Sequence, residues 1–354
     1  MSFFVSGVIL SGYKKKLHCA AKLKTKMIMK RILFICVFVS ISLLSCFSLP
    51  ELRFNADRKF KIVQFTDVHY VPGNDKSGVA LRTIVETVEA EHPDLVIFSG
   101  DVVTGKPAEQ GWKIILDELE RRSVPFCVVP GNHDDEQDLS REQISALVKQ
   151  YKMNVNARKD PKIKGVLNTV VEVKGTKGER ASFLLYCLDS NAYPADSRFK
   201  GYGWFAADQI EWYKRMSEKY TRKNGNAPLP ALAFFHIPLP EYREAYDKKE
   251  NKRFGERKER ECSPELNSGM FASMIEAGDV MGVFVGHDHD NDYIVNAYGI
   301  ALGYGRFTGG KTTYTNMENG ARVIELTEGE RMFRTYIRLQ SGEIKDMAVF
   351  PSDF

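Results

Sequence analysis

Short, continuous apolar runs alternate along this chain with longer segments whose apolar residues recur at every third or fourth position. The run KFKIVQFTD (59–67) is β-branched and closes on Thr-Asp, the pattern of a buried strand. GVALRTIVETVEAEHPD follows at helical spacing and stops before Pro93; DLVIFSGD predicts a second strand, GWKIILDELERR a second helix and PFCVVPGNHDD a third strand. Strands that alternate with helices imply βαβ units around a parallel sheet, and runs that are apolar throughout imply strands covered on both faces.

The middle of the chain changes period. NTVVEVKG and ERASFLLYCLDS flank the polar turn TKG and predict an antiparallel hairpin, GYGWFAADQIEWYKRMSEKY a loop and an amphipathic helix, and PLPALAFFHIPLP another buried strand. Residues 241–264 are charged and poor in apolar side chains, which suits either a solvated surface loop or a cover over a site. SGMFASMIEAGD predicts a helix, VMGVFVGHDHD a strand and turn, and ARVIELTEG with RMFRTYIRL a closing hairpin. One domain over residues 51–354 is the economical organisation.

Charge separates the first fifty residues from the rest. The chain holds 50 Lys and Arg against 46 Asp and Glu, but residues 1–50 carry eight of the bases and no acid, which leaves the remainder at −4. A polyanion-binding protein keeps its positive excess in the folded part, so no nucleic-acid partner is expected. From Met29, MKRILFICVFVSISLLSC has a basic start at Lys30 and Arg31 and an apolar run over residues 32–44, too short for a comfortable membrane span and suited to a secretory signal. LLSC resembles a bacterial lipobox, with Cys46 as the lipidated first residue; a plain cleaved signal near residues 45–50, or an uncleaved anchor, is the alternative. Residues 1–26 are then a non-native N-terminal extension and 27–50 the leader. The expected location is the bacterial cell envelope, as a periplasmic protein or outer-membrane lipoprotein, touching membrane only through Cys46 or the anchor. Of the cysteines outside the leader, Cys127 and Cys187 sit in apolar runs as free thiols, and Cys262 makes the number odd, which argues against a disulfide framework.

The chemistry stands at the ends of the apolar runs. IVQF is followed by Asp67 and His69, LVIF by Asp101, CVVP by Asn132, His133 and Asp134, LAFF by His236 and GVFV by His287 and His289. Five of the seven histidines fall there, leaving His18 and His92 elsewhere. Open α/β sheets bind ligands at the carboxyl ends of their strands, so these groups converge on one crevice. Taken alone, GHDHDND (286–292) fits a solvated turn as well as a metal site. Together with the other strand ends, imidazoles, carboxylates and an amide oxygen suit Zn, Mn or Fe, in a number right for two ions sharing a carboxylate. Paired ions of that kind hold a hydroxide and clamp a phosphoryl group, which points to phosphoester hydrolysis.

The blocks D-x-H (Asp67–His69), G-D (Gly100–Asp101), G-N-H-D (Gly131–Asp134), a lone His236 and G-H-x-H (Gly286–His289), in this order, resemble the calcineurin-like metallophosphoesterases. GYGWF, NSGMFASMIEAGDVMGVFVGHDHDND and GYGRFTGG are similar to its purple-acid-phosphatase-like branch. The resemblance implies a four-layer α/β/β/α sandwich, two mixed β-sheets flanked by helices, with the active site at the C-terminal strand ends. It implies that Asp67, His69 and His289 hold one metal ion and Asn132, His236 and His287 the other, with Asp101 between them. The ions are divalent or mixed-valence, and Mn, Fe and Zn are not distinguished. His133 is implied as general acid or hydrogen-bond donor to the leaving group, with Asp134 either orienting its imidazole or serving as a cap or loop carboxylate. The sequence departs from the family at Thr104, where purple acid phosphatases carry an iron-ligating Tyr and protein Ser/Thr phosphatases an Asp that supports the histidine. No purple colour is expected, and support for His133 has to come from another residue.

The expected reaction is hydrolysis of a small phosphate monoester by a metal-bridging hydroxide. The alternatives are a phosphodiesterase acting on cyclic nucleotides or phospholipid headgroups, and a non-catalytic metal-binding surface lipoprotein. Tyr202, Trp204, Tyr304 and Arg306, in Gly-rich stretches, are the candidates for substrate contact. Asp288, although flanked by two candidate ligands, is expected to be none, and Asp290, Asn291 and Asp292 are expected to shape the turn or fix an imidazole tautomer.

Overall fold

Along the strand Lys59–Phe65 the side chains take turns: Phe60 and Ile62 join one buried cluster, Val63 and Phe65 another. Successive strand residues face opposite ways, so a strand apolar on both faces lies between two layers. The computed structural model, which describes residues 49–157, 160 and 162–354, identifies those layers. The expectations for the leader, its cleavage and Cys46 lie outside the described residues.

One sheet has six strands in the order β14 (Ile344–Phe350), β13 (Phe333–Leu339), β12 (Gly320–Thr327), β2 (Lys59–Phe65), β3 (Leu95–Ser99) and β4 (Phe126–Val129). The other has eight: β1 (Leu52–Arg53), β5 (Thr169–Lys174), β6 (Ala181–Cys187), β7 (Ala231–Phe234), β9 (Val280–Val285), β11 (Ile300–Tyr304), β10 (Ile294–Ala297) and β8 (Arg253–Phe254). The parallel pairing read from the sequence holds for β2–β3–β4 and for β6–β7–β9–β11. Antiparallel strands complete each sheet: β12 runs against β2 and β13, and β5 against β6. Both sheets are therefore mixed.

Ile62, Ile97 and Cys127 on the first sheet meet Val173, Leu185 and Val283 of the second in one continuous core. Val63, Phe98 and Val128, on the opposite face, pack against α1 (Gly78–Glu91), α2 (Ala108–Arg121) and α3 (Arg141–Val148) through Ile84, Trp112 and Ile144. On the far side of the second sheet, α4 (Ala207–Lys223), α5 (Glu241–Asp247) and α6 (Met270–Ala277) extend the same buried cluster through Tyr213, Tyr242 and Met274. The result is the four-layer sandwich, with two mixed sheets flanked by helices. Local chemistry sets the helix ends: α1 stops where His92 turns left-handed at φ 47°, one residue before Pro93, and Ser140 with Gln143 forms a capping box on α3.

Residues 241–264 differ from the irregular segment that their composition suggests. They contain α5 and β8, which pairs with β10, and Tyr242 is fully buried. Aromatic residues in a charged stretch were enough to anchor it. Among the described residues no helix is long and apolar enough to cross a membrane.

Candidate metal centre

The carboxyl ends of β2, β3 and β4 in one sheet and of β7 and β9 in the other face a common cleft. Backbone hydrogen bonds tie these ends together: Gly286 N–H donates to His236 O at 3.1 Å, Asp67 N–H to Gly100 O at 3.1 Å and His69 N–H to Asp101 O at 2.9 Å. Asp67, His69, Asp101 and His287 all have positive φ, between 44° and 81°. Such backbone is costly for a residue with a side chain and persists where the surroundings over-determine it, as at functional sites. Two glycines make the crowding possible. A Cβ on Gly100 would stand 2.3 Å from His236 Nδ1, and one on Gly286 would stand 1.8 Å from Thr66 Oγ1.

Two groups of side chains result, each buried. Asp67, His69 and His289 present ligand atoms within 4.8 Å of one another, and so do Asp101, His236 and His287. Asp101 faces both: its Oδ2 is 3.1 Å from His236 Nε2 and 3.8 Å from His69 Nε2. In the first group His69 Nε2 and His289 Nε2 are 3.1 Å apart, and in the second His287 Nδ1 and His236 Nε2 are 3.3 Å apart. The opposite ring atoms are fixed by backbone carbonyls, since His236 Nδ1 pairs with Ser99 O and His289 Nδ1 with Tyr314 O, each at 2.8 Å. An Nδ1–H that donates outward leaves the Nε2 lone pair aimed into the cleft. Asn132 Oδ1 is buried with no hydrogen-bond donor.

The electrostatics favour a cation. Burial opposes ionisation of Asp67, but its hydrogen bond to His289 and the charge of His236 hold it down at about 2. Asp101 is held well below the usual carboxylate range against the same burial, chiefly by His236. Burial pushes His69 down to about 4 and His287 to about 3, so both are neutral bases near pH 7. Against the same burial, Asp101 raises His236 to about 9 and Asp67 raises His289, so a bound cation would displace protons from these two rings and leave the ionised carboxylates, neutral imidazoles and unpaired amide oxygen that a metal ligand set requires. The residues present fit two divalent ions.

The remaining sequence candidates divide between the rim of the site, where His133 and Tyr202 lie, and the interior, which holds Asp134, Tyr304 and Arg306. His133 lies at the rim, its side chain 39% exposed, with its ring centroid 5.8 Å from that of His69. Asp134 does not orient it. The Asp134 carboxylate is fully buried and accepts the N–H groups of Gly131 at 2.7 Å, Val102 at 2.8 Å, Asp101 at 3.0 Å and Val103 at 3.2 Å, so its oxygens are spent on the backbone. The partner of His133 is Glu136, with Oε2 2.6 Å from Nδ1. Sequence reading missed it because DDEQD (134–138) offers several carboxylates with no signal to separate them. Arg306 and Tyr304 are also corrected, since both are buried parts of the sandwich. Arg306 pairs with Asp292 and donates to Glu318 O, and Tyr304 O–H donates to Asp288 Oδ2 at 2.6 Å. Tyr202 is at the site, its ring centroid 4.2 Å from that of His287.

GHDHDND divides accordingly. Asp288 accepts from Cys262 N–H at 3.1 Å and from Tyr304, Asn291 Oδ1 from Lys258 and Glu259 N–H, Asp292 Oδ1 from Glu256 N–H, and Asp290 from Thr315 and Asn316. The segment between β8 and α6 thus buttresses the turn from behind. The imidazole tautomer of His289 is fixed by Tyr314 O instead of by any of these carboxylates.

The chain is similar to several known proteins. The family model for calcineurin-like phosphoesterase matches residues 60–291. An Arabidopsis thaliana protein named probable inactive purple acid phosphatase 14 is 32% identical over 295 residues, covering 73% of this chain and 72% of its own. Phosphatase DCR2 of Saccharomyces cerevisiae is 30% identical over 331 residues, 83% of this chain and 56% of that protein. A dimetal phosphatase from Danio rerio superposes with a TM-score of 0.56 at 15% identity, covering 82% of this chain and 98% of that one, a likeness of fold. The ordered strand-end blocks, the two sheets that carry them and the match over residues 60–291 lead to one conclusion: the chain belongs to the calcineurin-like phosphoesterase family.

Proposed function

We propose that this protein hydrolyses small phosphate monoesters with two divalent transition-metal ions, one held by Asp67, His69 and His289, the other by Asn132, His236 and His287, with Asp101 shared. The observation that carries this reading is the pair of buried His/Asp groups that meet at Asp101, beside an amide oxygen with no other partner. Such ions supply Lewis-acid polarisation of the phosphoryl group and a nucleophile from water near neutral pH.

The residues of the chain do the rest. His133, exposed at the rim beside the buried groups, is placed to hydrogen-bond or protonate the departing oxygen, and Glu136 holds its ring through Nδ1, which leaves Nε2 as the nitrogen that acts. Thr104 occupies the position of the family's Tyr or Asp, and Glu136 takes over the support of the histidine. A monoester is favoured over a diester because Tyr202 crowds the His287 side, where one ester substituent is easier to place than two. Similarity to proteins whose names include the word inactive makes turnover the quantity to measure. Parallel assays of an aryl phosphomonoester and its bis-aryl diester, with wild type and Asn132→Ala at matched metal content, provide the test. Metal-dependent monoester hydrolysis that Asn132→Ala abolishes supports the reading, and no turnover of either ester by metal-loaded wild type contradicts it.

The basic start and apolar run before Cys46 support export to the cell envelope, with a lipid on Cys46. The intact mass of the exported protein tests this, and a product retaining Met1 contradicts it.

A further inference from the structure

Tyr193 is 47% exposed, yet it is held at both ends. Its hydroxyl donates to Glu136 Oε1 at 2.9 Å and accepts from Asn132 Nδ2 at 3.3 Å, while its ring stacks on Tyr202 with centroids 6.0 Å and planes 25° apart. Tyr202 in turn stands edge-on to His287. Fixing a large ring in the open costs rotamer entropy and leaves apolar area in water, so packing of the sandwich does not account for it. A rigid flat ring is useful where something binds, because it offers contact area with little further entropy to lose. Position indicates what it would touch. Glu136 joins Tyr193 to His133, so the ring stands on the side of the centre from which the leaving group departs. The same carboxylate repels any second anionic group there.

We infer that the Tyr193–Tyr202 pair is a shelf for a flat, uncharged aromatic leaving group, which makes aryl phosphate esters the substrate class in preference to sugar phosphates or polyphosphates. The inference rests on the phosphoesterase reading for where the phosphoryl group sits, and its test reads binding without turnover. Benzylphosphonate and propylphosphonate share the anionic group and differ in the ring. Titrated calorimetrically into metal-loaded wild type, the benzyl compound binds about tenfold more tightly, the size of effect that a ring-on-ring contact supports. Tyr193→Leu brings the two affinities to within about twofold, whereas Tyr193→Phe, which keeps the ring and loses the hydroxyl, retains the preference. Circular dichroism and metal content establish that each variant is folded and loaded. Equal affinities in wild type, an unchanged preference in Tyr193→Leu, or failure of both phosphonates to bind overturns the shelf. Phenyl phosphate hydrolysis is followed separately: a preserved binding preference without turnover counts against the phosphoesterase reading and leaves the shelf standing.

Discussion

His133 and Glu136 form a pair one turn apart at the rim of the centre, Nδ1 to Oε2 at 2.6 Å, while the other Glu136 oxygen accepts from Tyr193. A carboxylate on Nδ1 fixes the tautomer and direction of an imidazole whose Nε2 acts on a leaving group. Glu136→Gln is expected to lower kcat on an aryl phosphomonoester by about 10- to 100-fold with unchanged metal content. Steady-state kinetics beside elemental analysis checks this, and a loss of metal in step with activity would assign Glu136 a structural role.

Asp134 gives the opposite kind of prediction. Four backbone N–H groups converge on its buried carboxylate, among them that of Asp101. Asp134→Ala strands those donors and is expected to cost about 3 kcal/mol or more of stability. Urea unfolding reads that loss, and metal content falls with it because Asp101 sits on the released backbone.

Tyr304 serves the sandwich rather than the substrate. Tyr304→Phe removes the donor to Asp288 and is expected to cost about 1–3 kcal/mol, with KM staying within about twofold of wild type. Thermal denaturation and kinetics on the same preparation separate the two effects. A large change in KM at unchanged stability would restore Tyr304 as a substrate contact.

Glu91, far from the centre, sets part of the acid limb of stability. It is buried, which opposes its ionisation, but Arg338, Tyr336 and Lys61 all hydrogen-bond to it and hold its pKa below the ordinary carboxylate value. A depressed folded-state pKa contributes stability that is complete above the unfolded value, near 4.3, and is lost as the pH falls through the folded value. Glu91→Gln is therefore expected to be less stable by about 1–3 kcal/mol at pH 7, with the gap closing below about pH 4. Unfolding free energies across that range decide it.

What the sequence disclosed, and what it withheld, follows from the range of the forces involved. Apolar runs such as LVIF and GVFV are buried because of their own composition, so strands and the residues directly after them were legible. So were the antiparallel hairpins β5–β6 and β12–β13, but the edges of the eight-stranded sheet were not, since β8 and β1 have two residues each and exist only through their partners. The left-handed backbone at Asp67, His69, Asp101 and His287 is imposed by contacts between strand ends far apart in the chain. Two roles stood open for Asp134, support of His133 or a cap or loop carboxylate, and the structure shows the second. Adjacency to His133 suggested contact, but neighbouring side chains in the turn point apart, and the residue three positions along reaches the imidazole. Arg306 and Tyr304 sit near glycines, as pocket residues do, yet β11 and its following turn run through the interior.

The central claim is that two buried side-chain groups joined at Asp101 form one dinuclear centre. Elemental analysis of the purified wild-type protein, titrated with Mn, Zn or Fe after chelation, tests it most directly. The account predicts saturation at about two ions per chain, the number a shared-carboxylate centre holds, with phosphomonoester hydrolysis returning as the ions do. Saturation at one ion, or no binding by a folded chain, would contradict it.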